Sequence, residues 1–167
     1  MTVSRRAVAA ALALAVGAAG WAAWRRLSEP APSDEDRIRA LFEEAARAVE
    51  EKRVSDAVSA VSERFHGDGL DRHGVKQLLA AQVFRGEWVR VSVAGARVRV
   101  EADTASAAVD VVMARSGKGA RLSDLLPQDA TANRIDCRLE REGGEWRVVS
   151  ASRRPISLAE ALAGPPP

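Results

Sequence analysis

The residues with most chemical reach in this chain lie close together: His66, Asp68, Asp71 and His73. Two imidazoles beside two carboxylates are the side chains that hold metals or shuttle protons near neutral pH. Their spacing matches no metal-ligand signature, and Gly67, Gly69 and Asp71 are the residues of a turn followed by a helix cap. The favoured reading is therefore structural, with both histidines in solvent and no metal bound. Ser116-Gly117-Lys118-Gly119 lacks the leading glycine spacing and the Lys-Ser/Thr pair of a phosphate-binding loop. Asp110 and Asp136 alternate with apolar neighbours and read as outward-facing, so no carboxylate is expected on an apolar strand face. There is no tyrosine. The lone cysteine, Cys137, sits in an alternating apolar run and reads as a small buried hydrophobe with no disulfide partner. No catalytic residue and no cofactor site are assigned.

The elements that would position these groups follow from hydrophobic period. Ser33-Asp34-Glu35-Asp36 opens a helix whose Ile38, Leu41, Phe42, Ala45, Ala46 and Val49 form one apolar stripe. Ser55-Asp56 caps a second helix, with Val58, Val61 and Phe65 inward. Asp71 caps a third, with Val75, Leu78, Leu79 and Val83 inward, and Gly86 stops it. From Trp88 the period becomes two. The alternation of Val89, Val91 and Val93 changes phase before Val98 and Val100, which predicts a bulge or bend at Ala94-Gly95. Val109, Val111 and Met113 mark the next strand, and Arg115 to Asp129 reads as a long loop with a helical turn at Leu122 to Leu126. Ile135, Cys137 and Leu139 form another strand, joined through the Gly143-Gly144 hairpin to Trp146 and Val148. Ser157 to Ala163 is a short last helix before a fraying Gly-Pro tail. Helices first and antiparallel strands after them make the class α+β, with the helices on one face of a curved sheet.

Charge separates the two ends of the chain. Arg5, Arg6, Arg25 and Arg26 flank an uncharged stretch from Ala7 to Trp24, whereas bases and acids nearly cancel from Asp34 onward. That near-neutral body carries no footprint for nucleic acid. The uncharged run, about 18 residues and ~27 Å as a helix, is just long enough to span a hydrocarbon core. Residues 1–26 are read as an uncleaved membrane anchor, because Arg25-Arg26 is untypical of a cleavage region; a cleaved signal peptide and a twin-arginine signal are the alternatives. Residues 27–33 are a Pro-containing linker, 34–156 the domain, and 157–167 the short helix and tail. Arginine far outnumbers lysine and alanine is abundant, as in a GC-rich bacterium. The expected location is the bacterial inner membrane with the domain outside the cytoplasm, or the periplasm after cleavage.

Read in order, the Ile38–Val49 helix, the Gly69-to-Val75 turn and helix, the bent valine strand with Asp103-Thr104-Ala105, and the closing Gly143-to-Val149 segment resemble the nuclear transport factor 2-like superfamily, its SnoaL-like bacterial members in particular. The resemblance spans most of residues 34 to 154. It implies a cone of curled sheet on helices with a pocket at the open end, and pairing of two copies through the sheet. Pocket candidates on that basis are Phe42, Phe65, His66, His73, Phe84, Trp88 and Trp146. The expected function is non-catalytic binding of a small apolar ligand or an envelope protein. Chemistry like that of ketosteroid isomerase, with His66 or His73 as base, is the alternative, although the tyrosine of that oxyanion hole is missing. The Arg97, Arg99, Arg134 and Arg138 face reads as solvated, or as a dimer surface paired with Asp110, Asp136 and Glu140.

Overall fold

A computed structural model describes residues 31–85, 90–114 and 130–166 of the chain. The segment read as an anchor or signal, Trp88, and the loop and helical turn expected over 115–129 lie outside them. No helix among the described residues is long and apolar enough to cross a membrane. The compact unit is Ser33–Pro167.

Helix α1 (Asp34–Glu50) starts where the sequence predicts: Ser33 is the N-cap and its Oγ accepts from the Asp36 N–H at 3.2 Å. Acids fill the first turn, Arg47 the last, and Ile38 and Ala48 are fully buried. Lys52, at φ 64°, turns the chain into α2 (Val54–Ser59). The predicted second helix ends there, well short of Phe65. Residues Val61–Gly67 are instead strand β1, hairpinned onto the short β2 (Leu70–Asp71). Val61 and Phe65 stand four apart, which suits one helix face and one strand face equally. The edge of a later strand decides between them: the Val148 N–H donates to the Ala60 carbonyl at 2.9 Å, and Ser62 Oγ donates to Glu142 at 2.8 Å.

Helix α3 (Arg72–Arg85) follows, with Asp71 accepting the Gly74 N–H at 2.7 Å as its cap. Of its predicted inward residues Val75 packs against the core and Leu78 and Leu79 turn toward the space beside the sheet, but none of the helix is fully buried and Leu78 is 43% exposed. Strands β3 (Arg90–Glu101), β4 (Thr104–Ala114), β5 (Ala130–Glu142) and β6 (Glu145–Ile156) complete a six-stranded sheet of order β2-β1-β6-β5-β4-β3. The β5–β6 hairpin turns on Gly143 and Gly144, both at positive φ as that tight turn requires. The sheet is mixed, which corrects the antiparallel expectation: β1 lies parallel to β6, and the remaining pairs are antiparallel. The β3–β4 register shifts between Val93 and Gly95, at the predicted bend.

On the concave face the core gathers Ile38, Phe65, Val109, Leu139, Trp146 and Val148. Cys137 joins them, and burial, with Asp136 nearby, pushes its thiol up to about 12. Helix α1 is tied to the closed end by charge. Asp34 accepts from Arg141 at 2.6 Å and from the Trp146 indole N–H at 3.2 Å, while the Arg141 guanidinium lies 4.5 Å above the Trp146 ring. The Arg141 and Trp146 hydrogen bonds hold the Asp34 carboxyl below its ordinary value of 3.8.

The outer face is covered as well. Helix α4 (Leu158–Ala163), closed by a Ser157–Glu160 capping box, packs Ala161 onto Val112, Ala114 and Ala132. Beyond it the tail does not fray as predicted. The Gly164 carbonyl accepts from Arg134 at 3.3 Å, and a Cβ at Gly95 would meet Pro165 at 3.1 Å. Asp110 points outward, as its alternation predicts, yet it is 0% exposed. Arg134, expected on a solvated face, is buried with it and donates to both carboxylate oxygens, at 2.6 and 2.7 Å. Arg97, Arg99 and Arg138 are the exposed part of that face.

Two measurements check these pairs. The carboxyl of Asp34 is depressed in the folded state, so its contribution is present above the unfolded value and is lost as pH falls through the folded one. Thermal midpoints therefore drop below about pH 4, and Asp34→Asn, lower already at neutral pH, declines less steeply. In a double-mutant cycle, Asp110→Leu and Arg134→Met are each more destabilising alone than the two together, because each single change strands a charge away from water.

Candidate ligand-binding site

The cavity comes from where the chain uses small side chains. Toward the closed end, α1 and the sheet meet through Ile38, Leu139 and Trp146, which fill the space completely. About two turns further along α1 the inward positions are Ala45 and Ala46, and the helix can no longer reach the sheet with bulk. The gap is a cavity of about 340 Å³, near the lower end of small-molecule pockets. Phe42, Ala45, Ala46 and Val49 of α1 form one wall, and Leu78, Leu79 and Gln82 of α3 another. The sheet supplies Val91, Val109, Val111, Met113 and Ile135. The bend in β3 carries its Val91 end around α1, against which that strand packs most of any element outside the sheet.

Three polar side chains interrupt this surface: Gln82, Asn133 and Arg153. Asn133 is in register with Val111, and Arg153 with Ile135, so both face inward with their cavity-lining neighbours. No aspartate, glutamate, histidine or cysteine lines the cavity among the described residues.

Of the residues proposed from sequence as pocket wall, Phe42 lines this cavity and Trp88 falls outside the described residues. The rest sit elsewhere. Phe65 is a 7% exposed core residue, its strand placing it beneath the closed end. Trp146, 5% exposed, is committed to Asp34 and Arg141. Phe84, near the end of α3, is 89% exposed, with no apolar residue packed on it among the described residues. His66 and His73 are exposed. His66 Nδ1 lies 3.5 Å from the Arg64 carbonyl, and His73 Nε2 lies 2.9 Å from the Gln77 amide nitrogen. His73 borders a separate surface groove with Glu63, Arg72 and Lys76. The acids of that cluster have structural work: Asp71 caps α3, and Asp68 accepts the Arg153 backbone N–H at 3.0 Å. Sequence reasoning missed Gln82, Asn133 and Arg153. The one signal for Asn133 was its strand phase, on the side of Ile135, Cys137 and Leu139; Arg153 is out of phase with Trp146 and Val148 and comes inward only through the register shift in β6, which no local pattern signals.

No family model matches the chain, and no curated protein matches its sequence. Solved structures do. A nuclear transport factor 2-like protein with a cystatin-like fold from Novosphingobium aromaticivorans is 17% identical, with a TM-score of 0.55 over 93% of this chain and 92% of its own. One from Cytophaga hutchinsonii is also 17% identical, with a TM-score of 0.55 over 75% of this chain and 100% of its own. A protein of unknown function with a cystatin-like fold from Nostoc punctiforme is 12% identical, with a TM-score of 0.57 over 74% of this chain and 93% of its own. At such identities the likeness is one of fold. With α1, α2 and α3 against a curled six-stranded sheet and an apolar hollow between them, the chain has the nuclear transport factor 2-like, cystatin-like fold.

Proposed function

We propose that this domain is a binding module for a small, largely apolar molecule, held at the bacterial cell envelope by the segment that precedes it. The observation carrying the first half is the cavity of about 340 Å³ whose wall is aliphatic and aromatic apart from Gln82, Asn133 and Arg153. An open apolar hollow of that size is unfavourable to leave to water, and a ligand that fills it gains the burial of its own surface. Among the described residues, general acid–base chemistry finds no Asp, Glu, His or Cys in that wall. His66 and His73, the imidazoles on which an isomerase or lyase reading would depend, stand on the surface by the β1–β2 hairpin. The second half rests on the uncharged Ala7-to-Trp24 run between arginine pairs.

An uncharged fluorescent probe, N-phenyl-1-naphthylamine, is expected to bind the full chain with enhanced emission. Ala46→Trp, which fills the hollow from α1, weakens that binding by about tenfold or more. Probe binding that is indifferent to Ala46→Trp places the ligand elsewhere and overturns the reading. A C-terminally tagged full chain is expected in the membrane fraction, and removal of residues 1–26 releases it. Recovery of the intact chain with the cytosol overturns the envelope assignment.

A further inference from the structure

The polar groups of the cavity share a bias that narrows the ligand further. Gln82 Oε1 is closed off from solvent and has no hydrogen-bond partner. Buried carbonyl oxygens are ordinarily satisfied, so this orphan, on a residue that lines the cavity, is an acceptor that a small rotation of the side chain would offer to an N–H or O–H of the occupant. Across from it, on the sheet wall, Asn133 and Arg153 bring side-chain N–H groups. Arg153 stands apart from the arginines that hold the fold together. Arg134 is met by Asp110, Arg141 by Asp34 and Asp103, and Arg64 by Glu140 and Glu142. The Arg153 guanidinium has no carboxylate within ion-pair distance among the described residues; the acid nearest it by hydrogen bonding, Asp68, is engaged with its backbone N–H. Among the described residues, the cavity thus presents one cation without a carboxylate partner beside an apolar interior with no acid in its wall. Arg153 is exposed where it borders the cavity, so its pull on an anion comes from charge-assisted hydrogen bonds to a carboxylate, which are stronger than neutral ones.

We propose that the cavity selects an apolar carboxylate. Its aromatic or short aliphatic body lies between Phe42, Leu79, Val109 and Met113, its carboxylate is held by Arg153 with Asn133 alongside, and a hydroxyl or N–H on the body donates to Gln82 Oε1. This inference rests on the ligand-binding reading of the same cavity and adds the charge and the donor.

The test is calorimetric titration of the full chain with molecules sharing one apolar body: 4-phenylbutanoate, 4-phenylbutan-1-ol, 4-phenylbutylamine and 4-(4-hydroxyphenyl)butanoate. The acid is expected to bind about tenfold more tightly than the alcohol, and the amine most weakly. Arg153→Gln brings the acid to within about twofold of the alcohol and leaves alcohol affinity unchanged, whereas Arg153→Lys keeps part of the preference. Arg153 is exposed, so the thermal midpoint of both variants stays near that of the parent. The hydroxyphenyl acid gains about threefold or more over the phenyl acid, and Gln82→Leu removes that gain. Equal affinities for acid and alcohol, or an Arg153→Gln variant that weakens both alike, overturn the carboxylate assignment while leaving the cavity a ligand site. A hydroxyl that brings no gain overturns the role given to Gln82. Absence of binding by all of these compounds overturns the ligand-binding reading itself.

Discussion

The bend of β3 between Val93 and Gly95 is the constraint on which the rest of this molecule depends. A flat ladder from Arg90 to Glu101 would carry Val91 away from the helices; the bulge turns that end of the strand over α1 and makes a wall of it. The same residues meet the tail on the other side, where Gly95 leaves room for Pro165. One local irregularity therefore shapes the hollow on the concave face and the seat of the C-terminus on the outer face. The alanines of α1 exploit it. With Ile38 set into the core and only Ala45 and Ala46 further along, the helix leaves a gap over the sheet before Glu50 meets it again by accepting the Val91 N–H at 3.3 Å.

The two faces of the sheet are stabilised by different physics. Inside, large apolar side chains close-pack around Leu139, and the hydrophobic effect dominates. Outside, the cover is thin, made of alanines and the short α4, and beneath it lies a bidentate ion pair. Such a pair adds little net stability compared with an apolar pair of the same shape, but it penalises any arrangement that separates its members. Asp110 and Arg134 stand directly opposite in the β4–β5 ladder, so the penalty falls on a slipped register of the two central strands. The Gly164 carbonyl, on Arg134, ties the tail to the same pair.

Much of this was legible in the chain. The apolar stripe of α1, the phase change at Ala94-Gly95 and the glycine hairpin at Gly143-Gly144 are local signals with local causes, and they place a bent sheet under a helix. Features set by partners distant in sequence were not legible. Val61 and Phe65 fit helix and strand alike until the edge of β6 is available to pair with. The strand alternation gives Asp110 its direction, but nothing in β4 tells that α4 returns to cover that side. Aromatic residues were natural candidates for pocket wall, yet Phe65 and Trp146 went to the core and Phe84 to solvent, since their positions answer to packing at the closed end and to the sparse contacts of α3. Gln82 on a helix, and Arg153 in a run of arginines, look like surface residues. Only the assembled walls show them facing a common space.

The clasp between Asp34 and Arg141 joins residues 107 apart in sequence, and β1, apart from the two-residue β2, pairs with a strand near the end of the chain. Contacts of this span carry a large loop-closure cost and form late. On a ribosome the helices emerge long before the hairpin they need, so most of the domain must wait, unsealed, until synthesis is nearly finished. An early stop that spares everything up to β4 would thus yield not a smaller version of the domain but three helices and two separate hairpins with no strands to join them.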